Sequence, residues 1–324
     1  TFNLRIDAPA YQALLHAFFV AMTVWVVARG VNKGIEQAAK FLMPALFGVI
    51  IIIVIYGMVS GDFAGAARFL FNPDFSALTG EAVLVALGQA LFSLGVGVGL
   101  MITYAAYMPP EFSLKESATI ICIGDTIAAL LAGFAIFPIV FASGLDPAEG
   151  PGLIFVTLPI AFGNMVGGHV IGTLFFILLL FAAYTSALGM LEPVVSWLEE
   201  RHPGKRKQMA MFAGIAIWVF GLGSVFSFSF MSDIQPLGFL GIEKNFFGIA
   251  DFTVANVLAP LNALLIALFA GWVLRKTVID EEFGTDSETW KSYWRIANRI
   301  FVPAALIVVL IDLVIGWERI LQAF

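Results

Sequence analysis

Long apolar stretches separated by short polar ones set the rhythm of this 324-residue chain. A window of about 19 residues, enough helix to cross a bilayer, selects eight spans: 9–29, 36–59, 82–108, 114–142, 167–199, 207–229, 251–275 and 298–318. The third differs from the rest, because Gly95, Gly97 and Gly99 occupy alternate positions near its middle. Glycine costs roughly 1 kcal/mol relative to alanine inside a helix, so this run predicts a span that opens near the bilayer midplane. Opened backbone in hydrocarbon must be buried in protein or line a cavity, which makes the break a candidate binding site. Between spans, residues 60–80 and 143–166 read as long connections punctuated by Pro and Gly, candidates for a lid over an outward opening.

Composition agrees with a polytopic membrane protein: 60% of residues are hydrophobic and 12% charged, half the charged share of a soluble domain. The fold class is therefore all-α. The net charge of −6 has no basic stripe within it, so nucleic acid is not an expected partner and the lipid bilayer is. A single Cys122 excludes a disulfide within the chain, and His16, His169 and His202 lack ligand spacing.

Basic residues orient the spans. Loops on one side hold 13 of the 17 Lys and Arg residues, including Arg29, Lys33, Lys115, the run Arg201 to Lys207, and Arg275 to Arg299. The positive-inside rule makes that side cytoplasmic, with both ends of the chain outside. The chain begins at Thr1 without a readable signal segment, so it reads as a fragment with earlier spans missing. The Arg201–Lys207 turn reads as a topology anchor.

Ionisable and polar side chains at bilayer depth need a reason. Asp125, in Gly124-Asp125-Thr126, reads as an ion ligand or proton carrier, with a structural hydrogen bond as the alternative. Ala182, Thr185 and Ser186 share one helix face at i, i+3 and i+4 and offer hard oxygens suited to Na⁺. Spacing alone favours a blander role for them, bonding to carbonyls four residues back or helping helices pack. Glu192 precedes the helix breaker Pro193, and its role stays open between structure and function. Gln89 and Ser93 lie one turn apart before the glycines. The break offers carbonyls at one end and amides at the other, partners for both ends of a zwitterion. Asp251, opening the seventh span ahead of Asn256, Pro260 and Asn262, reads by position as a helix-capping acid.

Several strings occur in one order: Lys33-Gly34-Ile35-Glu36 with Phe41-Leu42-Met43-Pro44, Phe71-Asn72-Pro73-Asp74-Phe75, Gly88-Gln89-Ala90-Leu91-Phe92-Ser93-Leu94, Thr103-Tyr104, Gly152 to Pro159, and Ala183-Tyr184-Thr185-Ser186. Together they resemble the neurotransmitter:sodium symporter family, in particular its bacterial amino-acid transporters. The resemblance implies an inverted-repeat transporter fold with a broken third span, the eight spans corresponding to the family's fourth to eleventh helices. It further implies a single transmembrane domain over 1–324, a multi-pass place in the plasma membrane (a bacterial inner membrane), and missing N-terminal helices as a partner.

The family pattern implies roles residue by residue. Phe92 resembles the aromatic lid over the substrate. Ser93 and Asp125 resemble ligands of a first sodium ion, and the aspartate implies chloride-independent transport. The Ala182 carbonyl, Thr185 and Ser186 resemble the second sodium site, which reverses the blander role that spacing alone favours. Gly95, Val98, Ser186 and Met190 would line the substrate side-chain pocket, with small residues at 95 and 98 enlarging it. Asp251 resembles the outer gate, and Glu200 with Tyr104 and Tyr107 the cytoplasmic gate. The implied function is sodium-coupled symport of neutral, hydrophobic L-amino acids by alternating access. Two other classes remain: an intramembrane aspartyl enzyme using Asp125 and Asp312, and a channel. The first has Ile-Gly-Asp in place of Gly-x-Gly-Asp and carboxylates at different depths, and the second lacks a polar-lined series of spans.

Overall fold

The computed structural model describes residues 8–109, 111–145, 147, 153–238, 244–284 and 287–315. Among them the regular structure is helical throughout. In chain order the α-helices are α1 Pro9–Val27, α2 Glu36–Ser60, α3 Phe63–Phe71, α4 Gly80–Ser93, α5 Leu100–Ala106, α6 Leu114–Ala142, α7 Leu158–Asn164, α8 Gly168–Arg201, α9 Arg206–Phe226, α10 Phe246–Phe252, α11 Ala259–Leu268, α12 Lys276–Phe283, α13 Glu288–Ile296 and α14 Val302–Ile315. Wider π-type turns run straight into several of them: Val31–Ile35 into α2, Leu153–Thr157 into α7, Thr253–Leu258 between α10 and α11, and Ala297–Phe301 into α14. Among the described residues, seven helical segments are long and apolar enough to cross a membrane, matching seven of the eight predicted spans. The predicted third span is the exception: α4 stops at Ser93 and α5 starts at Leu100.

Contacts divide the chain into two compact units. One comprises Thr1–Ala28, Leu78–Thr119 and Gly189–Phe324; the other comprises Arg29–Ala77 and Ile120–Leu188.

The second unit is built where a proline opens a helix. Pro138 lies inside α6 and has no N–H, so the Phe134 carbonyl loses its usual partner four residues on. The chain exploits the resulting irregularity: Gly57 of α2 presses close to the Phe134 carbonyl, and the Asp62 amide donates to the Pro138 carbonyl at 2.9 Å. Asp62 then caps α3, its carboxylate accepting from the Gly65 amide at 2.8 Å. Helix α3 lays Phe63, Phe69 and Phe71 against Phe134, Phe137 and Phe141 of α6 at ring separations of 4.9–5.8 Å. Ile53, Ile139, Leu158, Phe162 and Phe175 complete a common core. The Tyr56 hydroxyl donates to the Val166 carbonyl at 2.9 Å.

Each of the two long connections, 60–80 and 143–166, carries a short helix, α3 in one and α7 in the other. Both helices are short and bounded by Gly, Pro or Asn, and they pack on the α6 aromatic rings and the common core. Asp146 and residues 148–152 of the second connection lie outside the described residues, as do the last three positions of the predicted 298–318 span.

In the first unit, α1 packs along α9, where Ala210, Ala213 and Gly214 are buried and a Cβ at Gly214 would strike Val24. Small residues let the two backbones approach closely, the usual route to association in lipid. Helix α11 packs on α14 and on α4. The seventh span starts earlier than predicted, at Phe246, where Asn245 caps α10 by accepting from the Gly248 amide at 2.9 Å. Asp251 therefore sits one turn or more inside the helix and is not its cap.

The core makes a direct prediction. Phe162 is 3% exposed and stacks near Phe175 at 5.6 Å, whereas Ile160 is 55% exposed. Phe162→Ala should destabilise the protein by about 3–5 kcal/mol, read as a lower thermal midpoint in detergent, while Ile160→Ala should leave the midpoint unchanged.

Candidate functional site

The opening between α4 and α5 is a set of defined backbone turns. Gly95, Gly97 and Gly99 have φ of +64°, +87° and +85°, a region that side-chain-bearing residues rarely adopt. Around the first of them the outer half-helix closes with a paired cap. The Val96 amide donates to the Leu91 carbonyl at 3.0 Å, and the Gly95 amide donates to the Phe92 carbonyl at 3.1 Å. Gly99 takes the N-cap position of α5 without a side-chain cap, and the Thr103 hydroxyl donates to its carbonyl at 3.0 Å. In the middle, the Gly97 carbonyl accepts from Asn262 Nδ2 of α11 at 2.5 Å.

Three cavities flank this region of the first unit. On the outer half, about 410 Å³ is lined by Gln89, Phe92, Asp251, Asn256 and Pro260 among others. Phe92 and Asp251, the lid and outer-gate residues of the family pattern, thus share one cavity wall, and Phe92 is 64% exposed toward free space. Beside the break, about 440 Å³ is lined by Gly97, Val98 and residues of the 254–265 stretch. Below α5, about 740 Å³ is lined by Thr103, Tyr107, Ser196, Trp197, Glu199 and Glu200.

The predicted site residues divide between the two units. Phe92, Ser93, Gly95, Val98, Tyr104, Tyr107, Met190, Glu200 and Asp251 belong to the first; Asp125, Ala182, Thr185 and Ser186 belong to the second. In the first, Tyr107 and Glu200 line one cavity, while Tyr104 and Met190 line none of the three. In the second, the Thr185 hydroxyl lies 3.0 Å from the carbonyls of both Phe181 and Ala182, so Thr185 and Ala182 are adjacent on one face. Ser186 is exposed and Asp125 half-buried. A carbonyl and two hydroxyls supply only hard oxygen, a chemistry that suits Na⁺. The Asp312 side chain, needed by the enzyme alternative, lies outside the described residues.

Sequence reasoning missed the strongest polar cluster. Glu192 is 0% exposed within α8, and its Oε2 accepts from Arg206 Nη2 at 2.5 Å. Arg206 Nη1 donates to Glu199 at 2.8 Å, and its Nε and Nη2 donate to the Val27 carbonyl at 3.0 and 2.9 Å. Val27 ends α1, so the guanidinium satisfies an orphan carbonyl at the negative end of that helix. The Tyr107 hydroxyl lies 3.1 Å from Glu192 Oε1 and 3.0 Å from Ser196 Oγ. Arg206 is therefore more than a topology anchor, since it faces inward while Arg201 stacks on Trp197 at 4.2 Å. Part of the signal was available: a carboxylate within an apolar helix requires a cation, and the run Arg201 to Lys207 that follows α8 offers four, of which Arg206 is the one used.

Removing one partner of this buried cluster leaves an unpaired charge. Arg206→Ala or Glu192→Leu should each cost about 3–5 kcal/mol of stability, and the double substitution less than their sum, as a double-mutant cycle on thermal midpoints would measure.

The model of the Sodium:neurotransmitter symporter family matches residues 9–321. An uncharacterized sodium-dependent transporter of Bacillus subtilis is 39% identical over 95% of this chain and 68% of its own length. A second such protein, from Haemophilus influenzae, is 31% identical over 96% of this chain and 67% of its length. Among solved structures, MhsT in complex with L-phenylalanine superposes with a TM-score of 0.84 at 37% identity, covering 96% of this chain and 70% of that one. The two bacterial relatives carry the name sodium-dependent transporter, and the family is one of symporters rather than enzymes. The chain is a multi-pass plasma-membrane protein that uses Na⁺ as its coupling ion, and it belongs to the sodium:neurotransmitter symporter family.

Proposed function

We propose that the chain carries the substrate site of a sodium-coupled importer of neutral, hydrophobic L-amino acids. The observation that supports this most is the break itself: peptide groups exposed between two half-helices, with no ionisable side chain between Ser93 and Leu100. Backbone carbonyls and amides can pair the amine and carboxylate of a zwitterion, while an uncharged surround disfavours a charged side chain. MhsT, similar over nearly the whole chain, was solved with L-phenylalanine. In this reading Phe92 covers the substrate, Ser93 contacts substrate and the first Na⁺, and Gly95, Val98, Ser186 and Met190 receive the side chain. Asp125 completes the first ion site, and the Ala182 carbonyl with Thr185 and Ser186 forms the second. Asp251 closes the outer side, and Tyr104, Tyr107 and Glu200 the cytoplasmic side.

Coupling follows from electrostatics. A Na⁺ ion held by Ser93 and Asp125 beside the substrate carboxylate stabilises the bound anion, and the carboxylate stabilises the ion. Linkage makes the two effects equal. In the intact protein, raising Na⁺ from zero to saturation should tighten phenylalanine binding by at least tenfold, about 1.4 kcal/mol, with lysine and glutamate failing to compete. Scintillation proximity binding would measure it, and an affinity indifferent to Na⁺ would refute the coupling. Asp125→Ala should abolish the Na⁺ dependence; sodium-dependent binding retained in that variant would remove Asp125 from the ion site.

A further inference from the structure

The geometry points to Asn262 as a positioning residue that fixes the shape of the break and thereby the size of side chain the site accepts. This rests on the amino-acid site proposed above. Three observations meet at one place. Asn262 Nδ2 donates to the Gly97 carbonyl at 2.5 Å, across 165 residues of sequence. The Gly97 α-carbon lies so close to α11 that a Cβ there would overlap the Ala259 carbonyl and approach the Ala263 amide to 3.2 Å. Among the residues lining the 440 Å³ cavity beside the break, Asn262 alone has a hydrogen-bonding side chain, the others being Gly, Ala, Val and Leu.

Each has a consequence. In apolar surroundings a carbonyl without a partner is costly, so the Gly97 carbonyl has reason to stay where the Asn262 amide holds it. Gly97 sits midway between Gly95, which the cap of α4 holds, and Gly99, which Thr103 holds, so fixing its peptide plane sets how the two turns join. Contact with the Ala259 carbonyl blocks movement toward α11, and the hydrogen bond opposes movement away from it. Val98 follows Gly97 directly and lines the same cavity, so its side chain is carried by the same restraint. Pro260 is the second residue of α11, two before Asn262, and a π-type turn leads into the helix, so the donor projects from a first turn that the proline ring holds. Asn262 thus acts on substrate through Gly97 and Val98 without touching it.

The test uses the intact protein with Asn262→Leu, which matches the shape but cannot donate, and Asn262→Gln, which restores a donor. Two readouts separate positioning from mere support. Without ligand, amide hydrogen exchange of residues 94–99 should quicken roughly tenfold in Asn262→Leu while that of α6 and α8 stays unchanged. With saturating Na⁺, the ratio of phenylalanine to alanine affinity should change by about fivefold or more in Asn262→Leu and return toward the parental ratio in Asn262→Gln. Should Asn262→Leu not express, Asn262→Ser, too short to reach the carbonyl, gives the same comparison. Unchanged exchange at 94–99, an equal loss for both amino acids, or a Gln variant indistinguishable from Leu would overturn the assignment. If the parent itself bound no amino acid with Na⁺, the proposed function would fail, while the exchange measurement would still decide whether Asn262 holds the break.

Discussion

The structure depends throughout on one constraint: within hydrocarbon, a backbone N–H or C=O without a partner costs several kcal/mol. Long helices meet it automatically, and most of the chain obeys by forming them. At three places where the helical ladder fails, a compensating contact appears. At Pro138 the disturbed carbonyls of α6 meet the α2–α3 corner, where the Asp62 amide becomes a donor. At Val27 the last carbonyl of α1 takes two N–H groups from Arg206. At Ser93–Leu100 the break is handled by a paired helix cap on one side, the Thr103 hydroxyl on the other, and Asn262 in the middle. The break is the costliest of these, since three residues in five must be glycine to make it at all.

The same constraint, applied to charge, explains the end of the first unit where α8 turns into α9. A carboxylate buried at Glu192 is tolerable only beside a cation, and a guanidinium buried beside it must place its remaining donors. Arg206 has enough of them for two carboxylates and a helix C-terminus at once, which lysine's single ammonium would not match in geometry. Tyr107 ties the short inner half-helix α5 into this cluster through Glu192 and Ser196. Helix α5 is therefore held at both ends, by Asn262 next to its start and by Tyr107 just past its finish, although only seven residues long.

How much of this was legible depended on the range of the interaction that encodes it. Spans are encoded locally, in some twenty consecutive apolar residues; seven of eight coincide with long apolar helices, six of them to within about five positions, while the last begins ten residues earlier, at Glu288. The opening of the remaining one was legible too, because the steric need for glycine at positive φ leaves a mark in the sequence at 95, 97 and 99. Helices α3 and α7 escaped notice because short segments among Gly and Pro owe their stability to a distant core rather than to their own pattern. The start of the seventh span was misplaced because Asn245 is an ordinary polar residue until its carboxamide is seen to accept from Gly248. Partners such as Glu192 with Arg206 or Gly97 with Asn262 are long-range in sequence, and a single chain offers the need for a partner without its address. Asn256, Pro260 and Asn262 were visible as a polar interruption of an apolar span; which backbone group required them was not.

A site made this way suits transport better than chemistry. Catalysis needs a nucleophile or acid–base pair held against a reacting atom, and the residues from Ser93 to Leu100 carry one hydroxyl and no titratable group. They do carry peptide dipoles fixed by glycine conformations that few competing contacts stabilise, and such a segment can rearrange at small cost once a ligand is bound or released. Its restraints are single hydrogen bonds to neighbouring helices, each worth about 0.5–1.5 kcal/mol net. That is comparable to the coupling free energy of about 1–3 kcal/mol by which one bound ligand alters the affinity of another. A segment held by forces of that size is one whose conformation the binding of an ion can bias.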